Sequence, residues 1–165
     1  MEADMSQSAD VVAPDAPEMP TIEAWTDGGC SPNPGPGGWA YVLRNSAGGT
    51  KERSGAVPDT TNNQMELLAA IMALEGLSGP RRVIVHSDSE YVCRGMTGRV
   101  ADWQARGWCT AAGKPVKNLD LWQRLLSAAE RHQLEWRWVR AHAGDPMNER
   151  ADALVCRARE KHAKR

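Results

Sequence analysis

The stretch Val83-Ile-Val-His-Ser-Asp88 is a compact, β-branched run closed by a carboxylate, and its reading decides the fold. It predicts a short strand. Just upstream, Thr60-Thr61 supplies the cap of a helix running to about Leu77, and Gly79-Pro80 ends the connection. Further back, Ile22-Glu-Ala-Trp-Thr-Asp27 alternates as a strand should. With a helix between them, the two strands are expected to lie parallel. Between Asp27 and the helix, Gly28 to Gly38 holds five Gly and three Pro and is expected to be a turn-rich loop. Trp39 to Arg44 and Lys51 to Val57 read as strands joined around Gly48-Gly49, a hairpin signal.

Beyond Asp88, a short helix is expected from Ser89 to about Met96, then a Gly-interrupted, Trp-rich stretch to Gly113. Lys117 to Arg131 reads as a helix, Leu134 to Val139 as a strand and Asn148 onward as a last helix. The order βββαβαααβα implies an α/β fold with a mixed five-stranded sheet, three antiparallel strands followed by two parallel ones, and flanking helices.

A chain of 165 residues with 41% apolar and 25% charged residues suits one globular domain, here expected over 21–165. Residues 1–20 carry five acids, no Lys or Arg, and Pro14, Pro17 and Pro20, so they read as a flexible acidic tail. Without those five, 16 acids face 20 bases, and the body is about +4, which is compatible with a polyanionic partner. Cys30, Cys93, Cys109 and Cys156 show no metal-like spacing. No signal peptide and no membrane-length apolar run are visible, so a cytoplasmic setting is expected.

Carboxylates carry the chemistry. Asp27 and Asp88 each end an expected strand, where parallel neighbours would bring both to the carboxyl edge of the sheet. Each alone reads equally well as a turn or cap residue. Glu66 shares a helix face with Asn62, Ala69 and Ala73, and the small alanines suit contact with the sheet, so its charge is expected to point inward, the alternative being a capping or surface Glu near the helix start. Burying it is costly without a cation or donor. Asp152 stands at the border of the last helix's apolar stripe, and pairing with Arg150 or Arg159 is an equally good reading. Four converging carboxylates would suit Mg²⁺, or Mn²⁺ as a substitute. Two such ions are the common device for phosphodiester hydrolysis. His142, in the loop Arg140-Ala-His-Ala-Gly-Asp-Pro146, is expected to assist with a proton or with product release, the alternative being a hydrogen bond within the loop. No Ser–His nucleophile pattern and no P-loop is present.

The runs Thr26-Asp-Gly-Gly-Cys30, Asn33-Pro-Gly-Pro-Gly-Gly38, Thr60-Thr-Asn-Asn-Gln-Met-Glu-Leu67 and Ser87-Asp-Ser-Glu-Tyr91 stand in this order. Arg106-Gly-Trp108, Pro115-Val-Lys-Asn-Leu-Asp-Leu-Trp122, Trp138-Val-Arg-Ala-His-Ala-Gly144 and Asn148-Glu-Arg-Ala-Asp152 follow them. Together they resemble the bacterial branch of the type 1 ribonuclease H family, over nearly everything from Ile22 to about Arg159. The resemblance implies a metal site of Asp27, Glu66, Asp88 and Asp152, with His142 as auxiliary. It implies endonucleolytic cleavage of the RNA strand of RNA–DNA hybrids, giving 5′-phosphate and 3′-hydroxyl ends without strong sequence specificity. Gly28, Cys30, Asn33, Asn63 and Glu66 match residues that touch the hybrid's minor groove, and Thr61 with Asn33 matches a pocket for a DNA-strand phosphate. No obligate protein partner is implied, and a monomer is expected.

Residues 94–117 resemble the family's basic protrusion and keep Trp103, Arg106, Trp108, Lys114 and Lys117. Gln104, Ala105, Cys109 and Gly113 stand where Lys or another polar residue is frequent, and Arg99 where Trp is common, so looser, salt-sensitive binding is expected. The alternative is that these Trp side chains mainly pack helices together. Glu90 stands where Gln is usual beside the RNA strand, and is expected to repel phosphate modestly or to face away. The chain stops at Arg165 without the extension some relatives carry. Rival readings are a resolvase- or transposase-like nuclease on the same fold and a non-catalytic hybrid-binding module.

Overall fold

The computed structural model describes residues 19–141 and 143–163. The acidic stretch read as a tail lies outside them up to residue 18. Strand β1 (Thr21–Cys30) pairs antiparallel with β2 (Gly35–Asn45), which pairs antiparallel with β3 (Thr50–Thr60). Helix α1 (Asn62–Glu75) crosses over to β4 (Arg82–Ser87), parallel to β1, and β5 (Gln133–Trp138) adds parallel to β4. The sheet order is β3-β2-β1-β4-β5, with three antiparallel strands and two parallel additions as expected. Between β4 and β5 run α2 (Glu90–Arg94), α3 (Val100–Ala105) and α4 (Leu119–Ala129), and α5 (Pro146–Ala163) follows β5.

Alternation along the strands sends side chains to two cores. Ala24, Tyr41, Leu43, Val83 and Val85 meet Leu67, Ile71 and Leu74 of α1 and Trp122 and Leu125 of α4. On the other face Trp25, Ala40 and Val42 meet Ala151, Leu154 and Val155 of α5. Helix α1 starts where the sequence places it: the Thr61 hydroxyl accepts from the Gln64 amide at 3.1 Å. It stops at Glu75, two residues before the expected end at Leu77, with Gly76 as its C-cap.

Two readings are corrected. The segment from Gly28 to Gly38 is mostly strand, since Gly28 pairs with Trp39, Gly29 with Gly38 and Cys30 with Gly37. Only the short link from Ser31 to Pro34 lies outside β1 and β2. The reason is proximity: a Cβ on Gly28 would stand 2.3 Å from the backbone of Met65. Likewise the helical run begun by α2 does not break after Met96. It continues through a π-helical turn (Gly95–Arg99) into α3. Gly95 faces the Trp122 ring, where a Cβ would come within 2.1 Å. Both glycines admit close packing, the first where the sequence pattern suggests a break.

Candidate active site

The parallel register of β1 and β4 ends at Thr26↔Ser87, so Asp27 and Asp88 come next on adjacent strands at the carboxyl edge of the sheet. Asp27 is still paired with Ala40 of β2, which fixes its backbone from the other side. Glu66 lies in the second turn of α1 and reaches the same edge because the bare Gly28 lets Met65 and Glu66 close on β1. Asp27, Glu66 and Asp88 each offer a carboxylate oxygen, and these three atoms lie within 4.8 Å of one another. Asp152 of α5 joins from the opposite face, near enough for its charge to act on the Asp27 carboxyl. The tight group is therefore the first three, with Asp152 beside Asp27.

This crowding leaves an electrostatic mark. Burial first, then the charges of Asp88 and Asp152, push Asp27 up from 3.8 to about 8. Glu66 is raised well above the ordinary carboxylate range by burial and by the charges of Asp27 and Asp88, against the pull of the Gly28 amide. Its Oε1 is cut off from water and has no hydrogen-bond partner. A buried carboxylate oxygen without a donor is costly. A divalent cation among three hard oxygen donors removes that cost, and the residues present fit one. The cluster is a candidate metal site.

Around it, the Cys30 amide donates to Asn62 Oδ1 at 2.8 Å, and the Asn62 amide donates to Asn33 Oδ1 at 3.2 Å. Cys30, Asn33 and Thr61 are thus gathered at the start of α1, with Asn63 exposed beside them. Glu90 is exposed at the start of α2, and its carboxylate is engaged by Arg94 at 2.8 Å, so its charge is offset locally. Farther along, Trp103 meets Trp122 edge-on at 5.3 Å, and the Trp108 amide donates to the Trp103 carbonyl at 2.6 Å. Both indoles pack against the core while keeping some exposure. Arg94, Arg99, Arg106, Lys114 and Lys117 are all exposed, with Asp102 the one acid in that stretch. His142 lies outside the described residues.

Sequence reasoning passed over three residues here. Asp145 caps α5, its carboxylate accepting from the Met147 and Asn148 amides at 3.0 and 3.3 Å. The Asp-Pro pair at 145–146, a cap followed by Pro at the first helical position, was the available signal. Asn148, one turn before Asp152, is 3% exposed, and its Nδ2 has no partner. Trp138 donates from its indole N–H to the Asp88 carbonyl at 3.2 Å. Nothing in the sequence marks either contact.

The ribonuclease H family model, described as "RNase H", matches residues 19–160. A ribonuclease H of Granulibacter bethesdensis is 58% identical over 142 residues, which cover 86% of this chain and 94% of that protein. Among solved structures, LC9-RNase H1, described as a type 1 RNase H with the type 2 active-site motif, superposes with a TM-score of 0.78. It is 35% identical, over 88% of this chain and 75% of that one. LC11-RNase H1, solved in complex with an RNA/DNA hybrid, gives 0.67 at 28% identity, over 86% and 99% of the two chains. With its strand order and clustered carboxylates, the chain belongs to the ribonuclease H family, in its type 1 bacterial branch.

Proposed function

We propose that this protein hydrolyses the RNA strand of RNA–DNA hybrids endonucleolytically, leaving 5′-phosphate and 3′-hydroxyl ends. The observation that carries the reading is the trio Asp27, Glu66 and Asp88 with its orphaned Glu66 oxygen, in a chain of this family. The ions are Mg²⁺, two with substrate in place, and Mn²⁺ substitutes. Asp27, Glu66 and Asp88 would hold them, and Asp152, near Asp27, completes the set. Bound there, they would activate the attacking water and stabilise the leaving oxygen.

The chain's own residues bind and orient the duplex. Cys30, Asn33, Thr61 and Asn63, held together at the start of α1, face the hybrid's minor groove and a DNA-strand phosphate. Contacts to ribose 2′-hydroxyls distinguish RNA from DNA without reading sequence. The exposed cations of residues 94–117 grip the DNA strand by charge, with Trp103 and Trp108 chiefly holding that segment's shape. The Glu90–Arg94 pairing supports a neutral edge beside the RNA strand. His142 assists in proton transfer or product release. A monomer working in the cytoplasm completes the proposal.

The test compares matched RNA–DNA, RNA–RNA and DNA–DNA duplexes with Mg²⁺, Mn²⁺ or EDTA. Cutting confined to the RNA of the hybrid and abolished by EDTA is expected. Equal cutting of all three, or cutting that survives EDTA, refutes the assignment.

A further inference from the structure

Among the described residues only Met19 and Trp138 are large apolar side chains left strongly exposed, and Trp138 is the more open at 50%. It ends β5, paired in register with Ser87, so it stands at the same sheet edge as Asp27 and Asp88. The backbone around it is fixed, since the Val139 amide donates to the Ser87 carbonyl at 2.9 Å. The ring is fixed too, because its N–H is tied to the Asp88 carbonyl. On the same face of β5, Leu134 and Trp136 pack against the core, while Trp138 has run past it.

Holding an indole half in water forgoes hydrophobic stabilisation at about 25 cal/mol per Å² of apolar surface. Core packing does not account for that cost. A rigid aromatic face beside a carboxylate that acts on a polynucleotide suits sequence-tolerant stacking.

We propose that Trp138 is a substrate-binding residue whose exposed indole face packs on a ribose of the RNA strand flanking the phosphate that is cut. The inference rests on the hybrid-cleaving reading above. It is tested with the full chain and a labelled RNA–DNA hybrid, comparing wild type with Trp138→Phe, Trp138→Leu and Trp138→Ala. Hybrid binding is measured in EDTA, KM and kcat in Mg²⁺, and unfolding temperature as a control. Loss of a stacking ring should weaken binding and raise KM by roughly tenfold for Ala and Leu. Phe, which keeps a flat ring, should stay close to wild type. The Leu variant fills space without a flat face, so it still decides the matter if Ala does not fold.

Unchanged hybrid binding in Leu and Ala overturns the proposal. So does a Phe variant that loses kcat as heavily as Ala at unchanged KM, which would assign the indole N–H to positioning Asp88. A wild-type protein that neither binds hybrid in EDTA nor cleaves it in Mg²⁺ sinks the functional reading itself; binding by wild type and all variants alike sinks only the role of Trp138.

Discussion

Replacing Asp27 by Asn should make the metal-free protein more stable while destroying its activity. The native Asp27 carboxyl keeps its proton up to about pH 8, whereas the unfolded one releases it near 3.8. Between those values the native state binds more protons, so stability falls as pH rises. At about 1.4 kcal/mol per pH unit, the native carboxyl costs about 2 kcal/mol at pH 5.5 and about 5 kcal/mol at pH 8. Asn supplies a neutral group of nearly the same shape, which never incurs this cost. The variant should therefore gain up to about 2 kcal/mol at pH 5.5, or about 4–8 °C in Tm for a domain of this size, and more at pH 8. Urea unfolding in EDTA at the two pH values measures the difference directly. A variant less stable than wild type, or a gain that does not grow with pH, would refute the reasoning, because burial and the neighbouring charges would then not be holding the Asp27 carboxyl protonated.

Other perturbations probe separate parts of the site. Asp152→Asn should leave the fold intact by circular dichroism and reduce Mg²⁺-dependent hybrid cleavage to near background; retention of half the activity would remove Asp152 from the catalytic set. Gly28→Ala sets a Cβ against the Met65 backbone. It should destabilise the domain by about 3 kcal/mol and, by displacing Glu66, slow cleavage about a hundredfold, both read from unfolding curves and steady-state rates. Replacing Arg106 and Lys114 together by Ala should flatten the salt dependence of hybrid binding by roughly two in the log–log slope. An unchanged slope would place the duplex elsewhere.

Much of this was legible in the sequence because alternation and caps are local signals. The run from Val83 to Asp88, the Thr61 cap and the strands around Gly48-Gly49 all stand close to where the pattern puts them. The inward placement of Glu66 was legible too, from the small residues that share its face. Glycine misled at 28–38, since one residue type signals both a turn and a surface against which something packs. Only the partner, here the Met65 backbone, tells them apart. The same holds for Asp152, whose choice between a surface ion pair and the acid cluster depends on Asp27, far away in the chain. Trp138 was quoted among the family-like runs, but its exposure and its bond to Asp88 exist only in the folded chain.

Protonated, crowded carboxyls should release their protons to the buffer when a cation binds among them, which calorimetric titration can test. Mn²⁺ should be added to the protein at pH 7 in two buffers of different ionisation enthalpy, with Asp27→Asn as control. Binding by the wild type should release protons to the buffer, because Asp27, raised to about 8, must ionise to become a ligand. The Asn variant should bind more weakly and release fewer. Binding with no proton release, or equal release by the variant, would contradict the account.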